Sequence, residues 1–314
     1  MSKLVVFVGS SSAYEGYFRI VMPQVWPSAT IRYVKFSGGT GGPSHADIIV
    51  YSYEDSTNNQ TRIRGPKVMV CGEPGDVRRK TPDLLLDCKD VARMRAPGVR
   101  FGYLPFYVLS FSERFTNVPA DLIKKIPFSP ITRKTHFCAF LYRQTPKHRT
   151  QLFDAVDAYK PVDALGAATG SKPRRTPLAA RIDRTDYVVG KYTYNDLAVH
   201  KYLPYKFVIC CENTLQLPGY ITEKMLSAML AGAIPIYWGS PDVDSHFNSK
   251  SFINVSKFAS LREAVDEIKR IDTDRAAYEA MLQEPWLVGN KLSHYFDASY
   301  LSDVISYASR VTVA

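Results

Sequence analysis

No stretch of this chain reaches the ~18 consecutive apolar residues that a transmembrane helix needs, so no span is expected. Cysteine is scarce: five residues, an odd number, with no C-x-x-C pair among them. Cys210 and Cys211 are adjacent and would point to opposite faces of a strand. That excludes a disulfide framework and a zinc cage as organising devices and fits a reducing, cytoplasmic setting. The six histidines show no H-x-x-x-H spacing, so no zinc site is expected. Internal repeats and low-complexity tracts are also missing. The opening MSKLVVFVGSSSAYEG carries one lysine and an apolar run of strand length, too short for a secretory core.

What is present is a globular composition: 314 residues, 46% hydrophobic and 22% charged, enough for one large domain or two of ordinary size. The formal charge of +10 points to an anionic partner: nucleic acid, peripheral contact with an acidic membrane surface, or a phosphate-bearing substrate. The basic runs RRK (78–80) and KPRR (172–175) lack an accompanying aromatic-rich motif, so nucleic acid is not the expected partner.

Short β-branched runs mark the first third: KLVVFVG (3–9), IRYVKF (31–36), DIIVY (47–51) and KVMVC (67–71). No strong helical periodicity separates them, yet the pattern suits an α/β layer with a mostly parallel sheet. PFSPITRKTH (127–136) reads as a linker. Beyond it come a strand at 136–142, a helix at 148–159, a strand KFVICC (206–211), a helix ITEKMLSAMLAG (221–232) stopped by Gly232, and a strand IPIYWG (234–239). Ser260 with Glu263 forms a capping box before another helix. The expected domains are 1–130 and 131–290, with a tail helix within 291–314 packing back on the first.

Two motifs invite a functional reading and fail it. SGGTGGPS (37–44) resembles a phosphate loop, but a proline and a strand follow it, not a helix. DVD (242–244) resembles a metal-binding acidic triplet, but it sits in an apparent exposed turn, so no metal is expected there. The stretch YKFVICCENTLQLPGYITEK (205–224) is different. A buried-looking strand ends at Glu212-Asn213, passes a Pro218-Gly219 turn, and restarts as a helix with Glu223 and Lys224 in its first turn. A lysine opposes the helix dipole there. A diphosphate at the helix N-terminus would remove the conflict.

This stretch, with AGAIPIYWGSP and SFINVSKF, resembles glycosyltransferase family 10, the α-1,3/1,4-fucosyltransferases. KHRTQLFDAV (147–156) and MVCGEPGD (69–76) extend the likeness more weakly. The resemblance implies a GT-B architecture, two Rossmann-like domains facing a cleft. It implies GDP-β-L-fucose as donor, a glycan acceptor and inversion at the anomeric carbon; with no ligand cluster in the sequence and with Lys224 and Arg149 available to the diphosphate, no cofactor or required metal is expected. It implies Glu73 as general base, Arg149 and Lys224 at the diphosphate, and Asn213, Tyr220 and Glu223 at nucleotide and sugar. The chain departs from the family in having Cys211 where an aromatic commonly precedes the Glu-Asn pair. Two alternatives stay open: a GT-B transferase using another GDP-sugar, and a basic nucleic-acid- or glycan-binding protein. Oligomeric state is not legible.

Overall fold

A computed structural model describes residues 1–9, 14–53, 59–73, 82–90, 99–115, 134–168, 188–189, 192–297, 299–300 and 302. Both basic runs, most of the 127–136 linker and most of the expected tail helix lie outside the described residues. The chain forms two compact units. One comprises Met1–Val118 with Leu217–Tyr220 and Leu292–Ala314; the other comprises Pro119–Gln216 with Ile221–Lys291. No helix among the described residues is long and apolar enough to cross a membrane.

In the first unit, the β-branched runs become strands β1 (Ser2–Val8), β2 (Thr30–Phe36), β3 (Ile48–Ser52) and β4 (Lys67–Cys71). Two more strands, β5 (Leu84–Asp87) and β6 (Arg100–Tyr103), complete an all-parallel sheet of order β2-β1-β3-β4-β5-β6. Every residue of β3 and β5 is buried, the signature of parallel strands covered on both faces. Helices α1 (Glu15–Val25) and α2 (Phe106–Phe115) form where the sequence shows no strong periodicity. Pro23 interrupts the pattern of α1, but Tyr17, Phe18, Val21 and Met22 still bury one face. Chain from after the second unit returns here: the ring of Tyr295 packs edge-on to Tyr103 at 5.1 Å, and the Tyr300 hydroxyl donates to the Tyr103 carbonyl at 2.8 Å.

The second unit holds β7 (His136–Phe140), α3 (Lys147–Tyr159), β8 (Val162–Ala164), a two-strand pair β9 (Val188–Val189) and β10 (Tyr192–Thr193), α4 (Tyr194–Tyr202), β11 (Tyr205–Cys211), α5 (Lys224–Leu230), β12 (Ile234–Trp238), β13 (Ile253–Asn254), α6 (Leu261–Thr273) and α7 (Arg275–Gln283). Its sheet is parallel, with β11 central in the order β13-β12-β11-β7-β8. Leu152, Phe153 and Val156 of α3 and Ala264, Ile268 and Ile271 of α6 share one core with Phe207, Ile209 and Cys211 of β11. Each such large side chain contributes about 1.5–3 kcal/mol on burial. Ser260 caps α6 as expected, but the return bond from Glu263 goes to the Ala259 amide and not to that of Ser260. Ser260 Oγ accepts from the Glu263 amide at 3.3 Å, and the Glu263 carboxylate accepts from the Ala259 amide at 3.2 Å. All five cysteines are free and buried.

α5 is shorter than expected. It begins at Lys224, so Glu223 is its cap and Tyr220–Thr222 lie outside it; Gly232, at φ +66°, ends the segment. The expectation of a helix from 221 with Glu223 and Lys224 in its first turn is therefore corrected. Thr222, just ahead of the helix, is held instead by a side chain ten residues upstream, described below.

Asp272, near the end of α6, ties three elements together. Its carboxylate is 3% exposed and accepts from the Tyr159 hydroxyl at 3.0 Å and from Lys160 at 2.9 Å, and it pairs with Lys206. Burial alone would raise this carboxyl; the Lys206 and Lys160 ammonium groups hold it below the usual range instead. A depressed carboxyl stabilises the fold above its unfolded pKa, and that contribution is lost as pH falls through the native value. We expect Asp272→Asn to cost about 2 kcal/mol at neutral pH, mostly from the half-buried Lys206 pair, since exposed Lys160 counts for little. Urea denaturation should show the gap between variant and wild type narrowing from neutral pH to about pH 3. An equal gap at both pH values would contradict the ion-pair account.

Candidate active site

The carboxyl end of β11 gathers one set of candidate residues. Glu212 follows the strand and is fully buried. One carboxylate oxygen accepts from the Thr222 amide at 2.8 Å. The other accepts from the Thr222 hydroxyl at 2.8 Å and from Lys224 Nζ at 3.3 Å. Lys224 Nζ also donates to Thr222 Oγ1 at 2.7 Å and lies 3.6 Å from Glu223. Burial pushes the Glu212 carboxyl up, while Lys224 and the Thr222 donors oppose that shift. The lysine that conflicts with the helix dipole is thus offset by a carboxylate of the chain itself, so the conflict alone does not require an outside anion. The same contact fixes Thr222 just ahead of α5.

Arg149 stands in the first turn of α3 and is 2% exposed. It donates to the carbonyls of Gln144 (2.9 Å) and Cys211 (3.0 Å) and to Asn213 Oδ1 (2.9 Å), and its guanidinium lies 3.9 Å from the centre of the Tyr142 ring. Tyr142 is itself locked by donating to the Ile209 carbonyl and accepting from the Cys211 amide. Arg149 Nε has no hydrogen-bond partner, and no carboxylate neutralises the guanidinium among the described residues. A buried cation is costly unless an anion joins it. His148, which the sequence did not single out, sits beside it. Its Nε2 is 3.0 Å from the Glu212 carbonyl and its ring lies edge-on to Trp238; burial lowers its basicity.

The other candidates belong to the first unit. Glu73, exposed, follows Gly72 at the carboxyl end of β4, the end of parallel strands where ligands commonly bind. Its carboxylate accepts from the Tyr220 hydroxyl at 2.9 Å. Its carbonyl accepts from Lys89 Nζ (3.3 Å) and Cys71 Sγ (3.1 Å). Lys89 is buried and paired with buried Asp87 at 2.9 Å. Burial pushes the Asp87 carboxyl up against the pull of Lys89. The loop carrying Tyr220 is pinned from both sides: the Asp90 amide donates to the Pro218 carbonyl (3.0 Å) and the Tyr103 hydroxyl to the Gly219 carbonyl (2.8 Å). Gly219 adopts φ +76°, and a Cβ there would stand 2.5 Å from the Asp90 nitrogen.

The structure therefore brings Glu73 and Tyr220 together in one unit, and Arg149, Asn213, Glu223 and Lys224 around the end of β11 in the other. Glu212 cannot present its carboxylate to a substrate in this state, being enclosed on every side. The acidic triplet is otherwise engaged at Asp244, which pairs with Lys257 at 2.7 Å. No cluster of three or more metal-ligating side chains occurs among the described residues. We expect Glu212→Ala to destabilise the protein by about 3 kcal/mol, since it strips the partner from a half-buried lysine and a buried amide. Chemical denaturation checks this; unchanged stability would mean that Lys224 and Thr222 find other partners.

Residues 131–289, half of the chain, match the model for glycosyltransferase family 10 (fucosyltransferase), C-terminal part. A protein named as a fucosyltransferase in Acanthamoeba polyphaga mimivirus is 35% identical over 184 residues, 58% of this chain and 28% of that protein. The alpha-(1,3)-fucosyltransferase FucT of Helicobacter pylori is 37% identical over 136 residues, 43% of this chain and 24% of that protein. The chain thus spans about a quarter of the length of these curated relatives. Among solved structures, an alpha1,3-fucosyltransferase with GDP-fucose matches with a TM-score of 0.62 at 20% identity, covering 99% of this chain and 90% of that one. The two parallel-sheet α/β units have the GT-B fold of these neighbours. With that fold and the family match across 131–289, the chain belongs to glycosyltransferase family 10, the fucosyltransferases.

Proposed function

We propose that the chain transfers L-fucose from GDP-β-L-fucose to a glycan hydroxyl, in α-1,3 linkage, with inversion and without a metal. The observation that carries this is Arg149: a buried guanidinium with no carboxylate partner among the described residues and an unpaired Nε–H, at the carboxyl end of a central parallel strand. Such a group favours an anion, and the donor diphosphate supplies one. Family membership and the GDP-fucose complex of a structural neighbour support the choice of nucleotide sugar.

The chemistry is one in-line displacement. The acceptor oxygen bonds to the anomeric carbon, the bond from that carbon to the β-phosphate oxygen breaks, and the acceptor proton passes to Glu73. GDP leaves with the electron pair, and Arg149 and Lys224 stabilise the charge it gains. Glu73 suits the base role because it is an exposed carboxylate on a rigid strand exit. General base catalysis contributes ~10²–10⁴-fold. Stabilising the departing diphosphate supplies a further share of comparable or larger size. Two fixed cations can do at the diphosphate what a divalent ion does elsewhere. Asn213 helps by holding the guanidinium in place, and Glu223 lies where the sugar or nucleotide would pass.

Three variants separate binding from chemistry. Lys224→Ala and Arg149→Lys should each weaken GDP binding about ten- to a hundredfold by calorimetry, each losing a charge-assisted hydrogen bond. Melting curves identify any loss of fold. Glu73→Gln should leave GDP affinity within about twofold while transfer falls ~10²-fold or more. Normal GDP affinity in the first two would overturn the donor site; normal turnover in the third would overturn the base. Transfer should also persist in EDTA, and loss restored by manganese would return attention to the acidic triplet.

A further inference from the structure

We propose that Tyr220 is a positioning residue that acts through Glu73: its phenol aims the carboxylate that takes the acceptor proton. This rests on Glu73 being the base. The resemblance assigns Tyr220 to the donor, but the geometry puts its hydroxyl 2.9 Å from Glu73 Oε2, within the first unit. A phenol O–H donates one hydrogen, and here that hydrogen faces the carboxylate.

The need for such a hold follows from where Glu73 sits. It is exposed, two residues past the end of β4, and a glutamate is among the side chains that lose most rotamer freedom when fixed. A base must stand within hydrogen-bond reach of the proton it removes. The structure constrains Glu73 at its carbonyl and at its carboxylate. Lys89 Nζ and Cys71 Sγ grip its carbonyl, with Lys89 fixed by the buried Asp87 pair. Tyr220 grips its carboxylate. Tyr220 can do so because it is itself immobilised. Its ring is fully buried, and its loop is held by the Asp90 amide on Pro218 and the Tyr103 hydroxyl on Gly219. Glycine at 219 allows that approach, since a side chain would meet Asp90 and Tyr103.

A double-mutant cycle tests the idea. The probes are GDP-fucose and an oligosaccharide selected from an acceptor array. Tyr220→Phe keeps the ring and removes only the donor. It should lower kcat about tenfold, the scale of one lost charge-assisted hydrogen bond, with KM for GDP-fucose unchanged. In the Glu73→Gln background the same substitution should change kcat less than about twofold, because the group it orients no longer acts as a base. Tyr103→Phe, which loosens the loop without touching Glu73, should give a smaller fall in kcat that also vanishes in that background. An equal tenfold loss in both backgrounds, or a raised KM for GDP-fucose, would overturn the proposal and return Tyr220 to the donor. Full turnover in Glu73→Gln alone would instead remove the base assignment, and the inference with it.

Discussion

The arrangement around β11 depends on a carboxylate placed where water cannot reach it. Glu212 is enclosed at the end of the central strand, and a buried carboxylate must find donors or leave the fold. It takes them from Thr222 and Lys224, ten and twelve residues on. That requirement draws the chain back after the 213–219 loop, fixes Thr222 just ahead of α5, and holds the ammonium group of Lys224 beside the strand end. Arg149 works from the other side of the same strand end, bonding the Cys211 carbonyl and Asn213. Lys224 is answered by a carboxylate of the chain; Arg149 has none among the described residues.

Much of this architecture can be read from the residues, and the exceptions have physical causes. β1 to β4, β11 and β12 are β-branched runs of strand length, and α6 is announced by Ser260 and Glu263. β6, by contrast, is Arg-Phe-Gly-Tyr, a poor strand by composition, and it exists because β5 offers it a parallel edge. α1 contains Pro23, which hides its periodicity, although the buried face survives. The start of α5 is not legible either: ITEK reads as a first turn, but the helix begins only at Lys224, with Thr222 ahead of it bonded to Glu212.

The candidate site divides in the same way. Arg149 and Lys224 are visible as cations at the starts of helices, next to a strand end. The Asp87–Lys89 pair is not: the sequence analysis does not single it out, and only the structure shows it as a buried brace behind Glu73. Tyr220 is legible as a member of the motif but not as the partner of Glu73, since 147 residues separate them in sequence. Contacts of that range depend on topology, which local pattern does not encode.

The way the two units are threaded bears on how the protein is made. Chains usually fold their N-terminal domain first as they leave the ribosome. Here the first unit borrows Leu217–Tyr220 and the segment from Leu292 onward. Tyr103 waits for both: Gly219 for its hydroxyl, Tyr295 and Tyr300 for its ring and carbonyl. The second unit is nearly continuous in sequence and has all its strands by Asn254. In order of synthesis, therefore, the later-coded unit can close while the earlier-coded one still lacks its last pieces, and the loop bearing Tyr220 reaches its partners only after most of the second unit's strands have been made.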